Sequence, residues 1–72
     1  MNAFIETITS RDEVLRNRPF RTLCAGRNSA ELLAAARELE AFRQSSENLY
    51  ERVRASLFLY ALHRFYLSES AD

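Results

Sequence analysis

Residues 57–67 read LFLYALHRFYL, and nine of these eleven residues are apolar or aromatic. No other stretch constrains the chain as tightly. A helix this dense in apolar residues presents them on most of its sides, and each such side needs a cover. Only 72 residues are available to supply one. The run falls well short of the roughly 20 apolar residues that span a bilayer, and His63 and Arg64 interrupt it. We therefore expect no membrane insertion.

A chain of this length makes one domain at most, and it buries only about 60% of the surface that its unfolded form exposes. Small domains draw extra stability from a disulfide, a metal or a second chain. Cys24 is the only cysteine and His63 the only histidine. No intrachain disulfide can form, and one Cys with one His does not close a zinc site. We expect no metal and no cofactor. The remaining staple is a second chain, as a homo-oligomer or as a place in a larger protein assembly.

The composition is that of a folded, helical protein. Apolar residues make up 47%, with one Gly and one Pro, which is unlike a disordered tail. Ten basic residues balance ten acidic ones, and all ten are Arg. A GC-rich genome explains that bias blandly; bidentate recognition of carboxylate or phosphate explains it functionally. The first ten residues have no basic segment followed by a long apolar one, so no secretory signal is read there. A lone free cysteine fits a cytoplasmic location.

Along the chain, residues 1–9 contain the β-branched Ile5, Thr7, Ile8 and Thr9 and read as an extended N-terminal arm. Ser10 and Glu13 have the spacing of a capping box, and Pro19 opens a second short helical turn that Gly26 stops. Asn28 and Glu31 form a second capping box ahead of a long helix. Its stripe of Leu32, Ala35, Ala36, Leu39 and Phe42 faces the core. Ser45 and Ser46 mark either a break or the interior of one very long helix. The break is preferred, because an unbroken run of nearly forty residues suggests a coiled coil. A last helix runs from about Glu47 to Leu67, followed by a frayed polar tail at 68–72. The expected fold is all-α: two short helices, then two long ones in an antiparallel hairpin, as a single domain over 10–67.

The last helix has two apolar faces. Leu49, Tyr50, Val53, Leu57, Tyr60, Ala61 and Leu67 run its whole length and read as the side facing the core. Phe58, Leu59, Leu62, Phe65 and Tyr66 begin only after Arg54, with Glu47 and Glu51 further back on the same side. That second face is covered either by the N-terminal third folding back, through residues such as Phe4, Ile8, Phe20 and Leu23, or by another protein. A bare patch of this size is rare on soluble monomers, and aromatics are enriched in interface cores. We take it as the candidate interface.

Signals for catalysis are weak. Cys24 and His63 are the only candidates for a nucleophile and base, and nothing in their spacing joins them. Cys24 reads as a small buried apolar residue, and His63 as a surface or rim residue. Residues 11–27 hold five Arg against two acidic residues. Arg16, Arg18, Arg21 and Arg27 are thus candidates for anion or nucleic-acid contact. Against a nucleic-acid role stand the near-neutral overall charge and the acidic, alanine-rich helix that follows. The sequence points to a small non-catalytic interaction or oligomerisation module; the alternative is a small nucleic-acid-binding regulator.

Overall fold

The structure is a computed structural model that describes residues 2–67. In chain order its elements are α1 (Ala3–Thr9), α2 (Glu13–Arg16), α3 (Phe20–Cys24), α4 (Ser29–Ser45) and α5 (Leu49–Leu62), and a π-helical turn at His63–Leu67 continues α5. The described residues contain no strand, so the fold is an all-α bundle. The tail expected at 68–72 lies outside the described residues.

The long helices form as their caps dictate. The Glu31 amide donates to Asn28 Oδ1 (2.8 Å), and Glu31 Oε1 accepts from the Asn28 amide (2.9 Å), completing the expected capping box. Leu32, Ala36 and Leu39 of the α4 stripe are buried, and Ala35 and Phe42 pack against them. The helix does stop at Ser45. Ser46 turns to extended backbone (ψ 136°), and its hydroxyl accepts from the Asn48 amide (3.2 Å) and donates to Glu51 Oε1 (2.8 Å). Asn48 then caps α5 by accepting from the Glu51 amide (3.1 Å). Serine and asparagine side chains that bond nearby backbone offer the chain this alternative to continuing a helix. After the short turn, α5 packs back along α4 as an antiparallel hairpin.

The N-terminal segment corrects one expectation: it is a helix, not an extended arm. Asn2 is its N-cap, accepting from the Phe4 (2.9 Å) and Ile5 (3.3 Å) amides. The same side chain donates to the Ala35 carbonyl (3.0 Å) and to Glu38 Oε1 (3.1 Å), tying α1 to α4. The Thr7 and Thr9 hydroxyls donate back to the Ala3 (2.8 Å) and Ile5 (2.9 Å) carbonyls. Phe4, Thr7 and Ile8 share one face and are buried. Burial of that face outweighs the few tenths of a kcal/mol that β-branching costs each helical residue, a cost of about 0.7 at most.

The expected box at Ser10 and Glu13 is also displaced. Asp12 caps α2 by accepting from the Val14 amide (2.9 Å), and Ser10 accepts from the Asp12 amide (3.0 Å). Pro19 sits one place earlier than expected, as the N-cap of α3. Gly26 follows α3 with φ +77°, a conformation that L side chains rarely adopt, and so acts as the expected stop. Four rings join the ends of the chain. Phe4, Phe20, Phe58 and Tyr66 form a chain of contacts with centroids 5.7–5.9 Å apart.

Candidate protein interface

Except at Leu67, which is buried as expected, and Phe65, which is exposed as expected, the two faces of the last helix are the other way round from the sequence reading. Phe58, Leu59 and Leu62 lie in the core, with Leu62 wholly buried. Ala55, also wholly buried, continues that face one turn toward the N-terminus. What covers it is the N-terminal third: Phe4 and Ile8 from α1, and Phe20 and Leu23 from α3, belong to or pack against the same core. Each of the three large side chains gains roughly 1.5–3 kcal/mol from this burial. Two of the charged residues further back, Glu51 and Arg54, are not solvated bystanders either. Glu51 is held by Ser46. Arg54 donates to the Arg16 carbonyl at the end of α2 (3.3 Å) and to the Tyr50 hydroxyl (2.8 Å), and its guanidinium lies 5.0 Å from the Phe58 ring centroid. It therefore closes the edge of the core rather than interrupting it.

The face expected to be core points outward. Leu49 is 74% exposed, Val53 49%, Leu57 60% and Tyr60 63%. At 100° per residue these four side chains fall within a stripe about 80° wide. Tyr50 borders it and is also exposed. A shallow groove beside α4 is lined by Arg43, Leu49, Arg52, Val53, Ser56 and Leu57. Another, at the far end, is lined by Tyr60, His63, Arg64 and Phe65.

The π-turn decides how the helix ends. A π-turn closes i to i+5, so residues after Leu62 lag behind an α-helical register by roughly one position. Leu67, five residues beyond Leu62, returns to the core and is buried. Phe65 swings outward and is 67% exposed, beside Tyr60 and Arg64. Of the five residues expected to form the interface, Phe65 alone is thus openly exposed. Tyr66 is half-buried against Phe20. The residues expected in the core but left exposed are Leu49, Val53, Leu57 and Tyr60. Ala55 is the signal that points to them. A small residue at i−3, i−4 and i−7 from Phe58, Leu59 and Leu62 extends that side as the packed one.

The arginines expected to contact an anion separate into two kinds. Arg18 donates to Thr7 Oγ1 (3.1 Å) and lies 3.8 Å from Glu6 Oε1, pinning the link before α3 to α1. Arg16 is half-buried, and its carbonyl receives Arg54. Arg21 and Arg27 are exposed. Arg43 pairs with Glu40, and this bond holds the exposed Glu40 carboxyl below its usual range.

Cys24 is buried, and burial pushes its thiol pKa up, against the opposing pull of a hydrogen bond with Tyr66 and of the Arg27 charge. His63 lies elsewhere, in a groove with Leu33, Arg37 and Glu40. Among the described residues no three His, Cys, Asp or Glu side chains gather as a metal site, and no helix is long and apolar enough to cross a membrane. No protein-family model, curated protein or solved structure matches the chain.

Proposed function

We propose that this chain is a small non-catalytic interaction module that self-associates through the outward face of α5. The observation that carries this reading is the stripe of Leu49, Val53, Leu57 and Tyr60, extended by Tyr50 and Phe65, all left open by the fold. Six large apolar side chains, each exposed by about half or more, make a contiguous stripe of the kind that marks interaction sites. The rim of Arg43, Arg52, Ser56 and His63 beside it supplies the polar border that such interfaces have. The lone buried thiol fits a reducing compartment such as the cytoplasm.

Light scattering on the purified chain across a concentration series tests this. The expected mass rises toward twice the 8.4 kDa of one chain. A mass of 8.4 kDa at every concentration contradicts self-association.

A further inference from the structure

Resting on that reading, we infer that two copies pair through α5 in antiparallel orientation, with the two-fold axis beside Leu57. The stripe itself is the ground for this. A two-fold interface presents the same patch on both subunits, so the patch must complement itself. In an antiparallel pair, positions equally distant from the axis meet. Leu57 then meets Leu57 of the second copy. Val53 meets the position of Ala61, four residues away on either side, and a larger side chain thus faces a smaller one. Leu49 meets Phe65, eight residues away on either side. Tyr50 meets Arg64, seven residues away, and sets an aromatic face against a guanidinium. In these four pairs apolar residues meet apolar residues and Arg64 meets a ring, while Tyr60 falls opposite the position of Arg54, at the edge of the contact.

The parallel alternative pairs every position with itself. It sets Arg64 on Arg64 and Arg52 on Arg52, and like charges brought together at an interface disfavour that arrangement. Parallel helices also align their dipoles unfavourably, whereas antiparallel neighbours place each positive end beside a negative one. The two halves of the stripe differ in the same sense. Its first half is mainly aliphatic, with Leu49 and Val53. Its second is aromatic and cationic, with Tyr60, Arg64 and Phe65. Arg64 lies over the Phe65 ring, 5.6 Å from its centroid, and so already sits at the end of the stripe where a ring from the second copy arrives.

Disulfide trapping tests the geometry, with the mass of each variant measured before oxidation. Leu49→Cys and Phe65→Cys are made separately in the full chain with Cys24→Ser. They are oxidised alone and as an equal mixture. Antiparallel pairing gives a cross-linked dimer from the mixture and little from either variant alone, because bridged Cα atoms must lie within about 7 Å. Efficient linking of each variant with itself, in protein that is dimeric by mass, overturns the antiparallel assignment and leaves self-association standing. A monomeric mass for the wild type overturns self-association and the pairing with it. As a second measurement, Arg64→Ala should weaken the dimer by about fivefold to thirtyfold through its two symmetry-related ring contacts. Unchanged or tighter association counts against the antiparallel pair.

Discussion

The inward and outward faces of α5 are built from similar residues but meet different neighbours. Leu62 and Leu57 are both leucines five positions apart; one is fully buried and the other is 60% exposed. The inward face has Ala55 at its middle, the Phe20 ring stacked on Phe58 and the Phe4 ring edge-on to it, and Arg54 closing its edge. The outward face has only grooves bordered by Arg43, Arg52, His63 and Arg64. The contrast shows that apolar content does not decide which side of a helix becomes core. The remainder of the chain decides it, through what it can bring to each side. Here residues 3–24 form three short helices and cover one face only.

Substitutions on the two faces should therefore behave oppositely. The largest expected effect is on the inward face. Leu62→Ala should cost about 2–5 kcal/mol and Phe58→Ala about 3–5 kcal/mol. A domain this small has only about that much stability in total, so circular dichroism should show either variant largely unfolded at 25 °C. Leu57→Ala should change monomer stability by no more than about 0.5 kcal/mol while weakening self-association, which separates the two faces by denaturant titration and by mass.

A middle-sized effect concerns how the inward face is covered. Asn2→Ala removes the cap of α1 and its two bonds to α4. Urea unfolding should show a loss of about 1–2 kcal/mol. If α1 instead contributes nothing to the core, the midpoint will not move.

Much of the fold is legible in the residues themselves. The Asn28 and Glu31 box, the stripe from Leu32 to Phe42, the stop at Gly26 and the break after Ser45 all follow from local chemistry. The remainder is not local. Ile5, Thr7, Ile8 and Thr9 lower the helix propensity of AFIETIT; its helix exists because Phe4 and Ile8 have a core to enter and Asn2 has a partner on α4. The π-turn has no signature in HRFYL, yet it exchanges the directions of Phe65 and Leu67. Arg54 looks like a solvated charge until the carbonyl of Arg16 and the ring of Phe58 are seen around it. Which face is buried is not legible for the same reason: periodicity shows two apolar faces and does not say which one α1 and α3 reach.

The smallest expected effects sharpen the contrast between buried and exposed groups. Because burial raises the Cys24 pKa above its ordinary 9.0, the unfolded chain loses its thiol proton first as pH rises. The contribution of the protonated thiol is complete below about pH 9 and is lost progressively as pH rises above it. Wild type should lose slightly more stability than Cys24→Ala between pH 8 and pH 10, and the native thiol should react slowly with a disulfide reagent until the chain is unfolded. At the exposed Arg21 and Arg27, we expect Arg→Gln changes to leave stability unaltered. Steep, salt-sensitive binding of DNA or RNA that these changes abolish would favour a nucleic-acid role instead.

The most direct measurement is sedimentation equilibrium on wild type and Leu57→Glu, with circular dichroism recorded on the same samples. We predict an associating wild type and a Leu57→Glu chain that keeps its helical signal as a monomer of 8.4 kDa. A Leu57→Glu chain that loses its helical signal would place Leu57 in the core. One that stays folded and still associates would place the contact elsewhere. Either result would contradict the assignment of the outward face.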